Sequence, residues 1–215
     1  MKVGCMPFTA RLVRSILEGR KTQTRRVIPT RLTCNADIDK NDPTYFFVED
    51  QYGDWEPGEV YAPYQAGDIL WIREPGRVVD FNYFPLRVDV EYNADRDFQT
   101  VLMPERLQKE DGLAGLPRWA SETRGIPNGI FKEAARLFVK IVNVRVERVA
   151  CISEADALAE GMDTQDEDRL LPTPVEQFQY LWNDLAKKGS EWSDNPWVWV
   201  YEFERTDKPA DWPEN

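Results

Sequence analysis

The sequence predicts a mixed α+β domain whose strands close into a barrel, with helices against its ends. Three observations predict it. An amphipathic helical segment opens the chain, strand-like runs separated by turn formers fill the middle, and the last third reads strand–helix–helix–strand. The 215 residues allow one sizeable domain or two small ones, with enough chain for a proper core, and 42% hydrophobic with 12% aromatic residues is the composition of a globular chain. One domain is expected over residues 1–206, interrupted by loop-rich excursions at about 30–63 and 93–130, with a flexible tail at 207–215.

The first helix is expected from about Thr9 to Glu18. Thr9 suits an N-cap, Leu12, Val13, Ile16 and Leu17 form one apolar stripe, and Gly19 supplies the left-handed terminating residue. Lys21 to Ile28 then runs extended until Pro29. Turn formers crowd the first excursion, which holds one short strand near Tyr45–Val48. Gln65-Ala66-Gly67-Asp68 turns into Ile69-Leu70-Trp71-Ile72-Arg73-Glu74, apolar on both faces until Arg73, as a strand entering a sheet interior is. Val88 to Tyr92 alternates apolar and acidic residues and reads as a half-exposed strand.

Phe138 to Val149 has strand periodicity, with Val142, Val144 and Val146 on one side and Asn143, Arg145 and Glu147 on the other. Ile152-Ser153-Glu154-Ala155-Asp156 starts a short helix that stops at Gly161. Thr173-Pro174-Val175-Glu176 starts another, with the stripe Phe178, Leu181, Trp182 and Leu185 and a close at Lys187, Lys188 and Gly189. Trp197 to Phe203 is an aromatic-rich strand.

Composition excludes several classes. No run approaches the ~20 apolar residues of a membrane span, and Met1 to Ala10 lacks the charged and apolar regions of a signal peptide. Cys5, Cys34 and Cys151 are odd in number and lack CxxC spacing, so neither disulfide framework nor zinc knuckle is supported. A cytoplasmic protein is expected. The net charge of −11 opposes general binding to a polyanion. Residues 11–32 are the exception: seven Lys and Arg face Glu18 alone, a local +6 that leaves −17 elsewhere. Such a patch suits a nucleotide or a short single strand rather than a long duplex.

The chain has no histidine, so a proton acceptor must be a carboxylate or a lysine. Lys21 lies between Arg20 and Arg25-Arg26, where like charge pushes its pKa down if the site is dry. Thr24 is three residues on; a fully extended segment would point the two apart, so a bend near Thr22 is required. Acyl transfer needs a nucleophile, a base and an oxyanion ligand.

Two stretches, Ile16-Leu17-Glu18-Gly19-Arg20-Lys21-Thr22-Gln23-Thr24-Arg25-Arg26 and Gln65-Ala66-Gly67-Asp68-Ile69-Leu70-Trp71-Ile72-Arg73-Glu74, resemble the ASCH family of the PUA-like superfamily. So do Val144 to Val149 running into Ile152-Ser153-Glu154, then Ala159-Glu160-Gly161, Trp182, and Asn195-Pro196-Trp197-Val198-Trp199-Val200-Tyr201-Glu202-Phe203. The long form is similar to phage and prophage members, which would place it in a bacterial host cytoplasm. The resemblance implies a small β-barrel with a nucleic-acid-facing cleft. Small bacterial members hydrolyse the amide of N4-acetylcytidine with a lysine, a threonine and a glutamate. By motif position, those roles fall on Lys21, Thr24 and Glu160. Here the Leu116-Pro117-Arg118-Trp119-Ala120-Ser121 element is separated from the central strand, where relatives place it directly before that strand.

Glu160 is expected at the end of its helix, a position that suits a group accepting and returning a proton. Arg26 offers a planar fork to a carbonyl or phosphate, or pairs with Glu74 or Asp68. Arg25, Thr22, Arg73, Glu74 and Trp71 complete the expected substrate-binding set, and no cofactor or metal is implied; Asp163, Asp166, Glu167 and Asp168 read as a solvated acidic loop. Two readings stay open: a hydrolase of a modified nucleoside, or a non-enzymatic RNA or nucleic-acid module using residues 20–26 as a phosphate clamp. A phage regulatory or assembly protein acting through protein contacts is a third.

Overall fold

The computed structural model describes residues 2–29, 36–38, 45–49, 55–59, 62–83, 86–102, 130–164, 172–210 and 212. In order the elements are β1 (Val3–Pro7), α1 (Ala10–Leu17), β2 (Gln23–Val27), β3 (Ala36–Ile38), β4 (Tyr45–Glu49), β5 (Trp55–Glu59) and β6 (Ile69–Arg73). There follow β7 (Gly76–Tyr83), β8 (Leu86–Tyr92), β9 (Phe98–Leu102), β10 (Phe138–Arg148), α2 (Glu154–Ala159), α3 (Pro174–Leu185) and β11 (Trp197–Thr206). The fold is α+β, and the chain divides into two compact units, each discontinuous in sequence.

The first unit comprises residues 1–18, 68–140 and 205–215. Here β6 is flanked by β1, parallel, with Cys5 beside Trp71, and by the start of β10, antiparallel, with Phe138 beside Trp71. Thr9 caps α1 by accepting from Leu12 N–H, and the helix buries Leu12, Val13 and Ile16. A separate antiparallel meander, β7-β8-β9, packs Val78, Val88, Val90, Tyr92 and Val101 against Ile130 and Ala134. Gly76 is required there: a Cβ would sit 2.9 Å from both the Glu91 carbonyl and Ile130 Cγ2. The tail expected to be flexible carries Trp212, buried with Ile69, Ala135 and Phe138 and edge-on to Trp71.

The second unit comprises residues 19–67 and 141–204. Its sheet runs β10-β11-β2, with β11 and β2 antiparallel and Tyr201 opposite Thr24. A meander β3-β4-β5 lies within the first expected excursion, where only the strand at β4 was foreseen. Thr173 and Glu176 form a reciprocal capping box on α3, and Pro174 occupies its first turn. The expected stripe of α3 is only half used, for Phe178 is buried while Leu185 is 55% exposed.

The barrel expected from the sequence is not present among the described residues. There β1 pairs only with β6 and β2 only with β11, which leaves each as an edge strand of the open five-stranded order β1-β6-β10-β11-β2. Period-two alternation is the same in open and closed sheets; closure depends on tilt and stagger, which no local pattern encodes. The second excursion likewise begins with a strand, β9, paired to β8 through Val88 and Val101. Residues 103–129, including the Leu116–Ser121 element, lie outside the described residues, as do Asp166, Glu167 and Asp168.

Candidate active site

The site belongs to the second unit and starts from two chain turns. Ser153 caps α2, Glu160 is its C-terminal capping residue, and Gly161 takes φ +92°, which favours glycine and stops the helix. Residues 21 and 22 lead into β2. The Thr22 N–H donates to the Ala159 carbonyl at 2.8 Å, and the Thr22 carbonyl accepts from Phe203 N–H at 2.8 Å. Both backbone groups of Thr22 thus tie the start of β2 to the end of α2 and to β11.

This brings Lys21 to Glu160, 139 residues away. The Lys21 Nζ donates to Glu160 Oε2 at 2.7 Å, to the Glu160 carbonyl at 2.9 Å and to the Gln23 carbonyl at 2.7 Å. All three ammonium protons have acceptors, two of them on the residue that ends α2, where the dipole favours a cation. The two side chains are 0% and 4% exposed. Burial lowers the lysine's pKa; Glu160 opposes that effect, and Arg26 and Arg25 add to it. Arg20, the neighbour in sequence, instead donates to the Gly161 carbonyl and to Asp163.

Glu160 is held from its other side too. Arg25 Nη1 donates to Glu160 Oε1 at 3.2 Å, while Nη2 reaches Glu147 Oε2 at 2.9 Å and Asp156 Oδ2 at 3.3 Å. The Arg25 guanidinium also lies 5.8 Å from the Phe178 ring centroid. A second arginine, Arg145 on β10, shares those two carboxylates and reaches Gln23 Oε1 and Glu202. Burial alone would raise the Asp156 pKa, but Arg25 and Arg145 hold it below the ordinary carboxylate value. Sequence reasoning missed Arg145, Glu147 and Asp156 as part of this centre. The available signal was the alternation of β10, which puts Arg145 and Glu147 on one side of a strand that also needs burial.

Thr24 and Arg26 occupy the other face of β2, opposite Tyr201 and Trp199. Thr24 is buried, and the Gln23 carbonyl that accepts from Lys21 belongs to the peptide bond leading to it. The Arg26 pKa is lowered by burial, against opposing effects of Glu160, Tyr201 and Tyr64. Tyr64 meets Tyr201 edge-on, with ring centroids 6.0 Å apart. Of the carboxylates considered as partners for Arg26, Asp68 accepts from Lys2 N–H, and Glu74 from Arg136. The Thr22 side chain is exposed.

Three expected substrate-binding residues belong to the first unit. Trp71 packs on Trp212, Arg73 keeps Nε buried without a hydrogen-bond partner, and Glu74 is fully buried under the Arg136 fork. Compared with family models, with curated proteins and with solved structures, the chain gives no match. Among the described residues, no helix is long and apolar enough to cross a membrane.

Proposed function

We propose that this chain is an ASCH-type amide hydrolase acting on a modified nucleoside, with an N4-acylated cytidine as its substrate and Lys21, Thr24 and Glu160 as its catalytic residues. The observation that carries the reading is the 2.7 Å contact between Lys21 Nζ and Glu160 Oε2, in which both side chains are almost wholly dry. A buried pair of this kind is a poor device for stability, because taking both charges out of water offsets their attraction. It is a good device for moving a proton, because burial disfavours the ammonium.

Transfer of one proton from Nζ to Oε2 leaves a neutral amine beside a carboxylic acid. The amine leaves its Glu160 and Gln23 acceptors to reach Thr24, which lies on the other face of β2, and accepts the hydroxyl proton as Oγ1 bonds to the acyl carbon and the carbonyl π pair moves onto oxygen. Arg26, on the same face of β2 as Thr24, donates to that oxyanion. Collapse breaks the C–N4 bond; the lysine ammonium returns its proton to N4, and cytidine leaves. Water, deprotonated by the same couple, then cleaves the threonine ester and restores the hydroxyl. An uncharged nucleoside also avoids the repulsion that a net charge of −11 imposes on a polynucleotide. The phosphate-clamp reading draws less support, since Arg20 and Arg25 already donate to carboxylates.

The test is release of cytidine from N4-acetylcytidine by purified protein, followed chromatographically. Turnover is expected in the wild type, with a fall of at least ~100-fold for Lys21→Met and for Thr24→Val. An inert wild type, or variants that keep their rate, would remove the proposal.

A further inference from the structure

The carboxylate of Glu160 is gripped at both oxygens by different residues: Lys21 holds Oε2 and Arg25 holds Oε1. Arg25 is itself immobilised, since its other terminal nitrogen binds Glu147 on β10 and Asp156 on α2, and Phe178 of α3 lies against the guanidinium. From this geometry we infer that Arg25 is a positioning residue: it sets the rotation of the Glu160 carboxylate so that Oε2 faces the lysine ammonium. The inference rests on the hydrolase reading for its rate measurement alone.

A carboxylate bonded at one oxygen only is free to rotate about its last torsion, a broad two-fold well. Arg25 removes that freedom at Oε1, and the Arg145 guanidinium, sharing Glu147 and Asp156, keeps Arg25 from following. The groups acting on Lys21 are Glu160 from the end of α2 and Arg25 and Arg26 from β2; Glu147, Asp156 and Arg145 act behind Arg25. Among these, Arg25 and Arg26 disfavour the ammonium and Glu160 favours it. Loss of Arg25 therefore strengthens the hold of Glu160 on the lysine proton on two counts. A cation leaves the neighbourhood, and the carboxylate turns both oxygens to a single partner.

The experiment compares wild type, Arg25→Met and Arg25→Lys by two readouts. The first is the titration midpoint of the Lys21 side chain by NMR, its signal identified by its loss in Lys21→Met. The second is the pH profile of kcat/KM on N4-acetylcytidine. In Arg25→Met the midpoint is expected to rise by about one unit, with the acidic limb of the profile moving by the same amount. Arg25→Lys restores the charge but not the fork onto Glu160, so the midpoint returns only part of the way to the wild-type value. Its kcat still falls roughly tenfold, because one ammonium cannot fork across Glu160, Glu147 and Asp156. Should Arg25→Met lose its dispersed spectrum, the double variant Arg25→Met with Asp156→Asn carries the same measurement with one fewer unpaired carboxylate. A midpoint unmoved by loss of Arg25, or restored in full by lysine, overturns the inference. An inert wild type would remove the hydrolase reading and leave the midpoint comparison to decide the role of Arg25.

Discussion

Glu160 and Glu74 are both buried carboxylates bonded through both oxygens, yet their surroundings are inverted. Around Glu160, Lys21 and Arg25 donate directly and Arg26 contributes its field, so one acid faces three bases. Around Arg136 the ratio is reversed. Its guanidinium forks onto Glu74 at 3.0 Å through two nitrogens, bonds Asp95 and Asp97, and lies 3.8 Å over the Tyr92 ring. Burial raises the Glu74 pKa against the pull of Arg136, whereas it lowers that of Lys21 against the pull of Glu160.

The difference teaches which buried ion pair can do proton chemistry. A guanidinium matches a carboxylate in planar geometry and does not give up its proton in a protein. The Glu74 centre is therefore a brace. A lysine desolvated beside other cations holds its proton loosely, and a 2.7 Å contact gives that proton somewhere to go. Both centres were candidates from charge and burial alone; the identity of the cation separates them.

The largest effect expected from this contrast is on rate. Glu160→Gln keeps the size and the contact with Arg25 but removes the proton acceptor. Hydrolysis of N4-acetylcytidine should fall roughly 10²–10³-fold, measured as kcat/KM, with the folded spectrum unchanged. Retention of wild-type turnover would reduce the Glu160 centre to a brace like the other.

Next in size is a stability effect. Arg136→Leu leaves Glu74 buried without its partner and should cost about 3 kcal/mol at neutral pH in urea unfolding, with turnover per folded molecule unaltered. The pH dependence carries a sign. The folded Glu74 pKa lies above its unfolded value, so the stabilisation tied to that shift is present at low pH and lost as pH rises through the folded value. The penalty of Arg136→Leu should accordingly shrink as acid neutralises Glu74. A penalty independent of pH would show that the carboxylate is not its source.

The smallest expected effect tests the outer part of the Glu160 network. Asp156 is a quarter exposed and bonds both Arg25 and Arg145, so Asp156→Asn should cost about 1 kcal/mol. Its folded pKa lies below the unfolded value, and its contribution is present above the unfolded pKa and lost as pH falls through the folded one. Unfolding curves of wild type and variant should therefore converge in strong acid. Divergence there would place the origin of the loss in packing around α2.

Much of the architecture was legible. The helix capped by Thr9, the strands at β6, β8 and β10, and the run α2, α3, β11 all follow from periodicity and caps, which are local. The strands β1, β3, β5, β7 and β9 were not read, since short stretches such as Val3–Pro7 and Trp55–Glu59 include glycine or proline and gain their pairing from distant partners. Trp212 was read as part of a loose tail because its burial depends on Phe138 and Trp71 far back in the chain.

The amino-acid order by itself determined the chemistry on offer: no imidazole, a lysine flanked by arginines and followed by threonine, and a glutamate at a helix end before glycine. Tertiary structure alone decided which of these met. It joined Lys21 to Glu160 across 139 residues, put Arg25 on the far oxygen, enlisted Arg145 and Asp156, and committed Glu74 to Arg136. The physical reason is range. Caps and side-chain periodicity act over a few residues, whereas desolvation and ion pairing depend on which distant groups the folded backbone brings within about 3–4 Å.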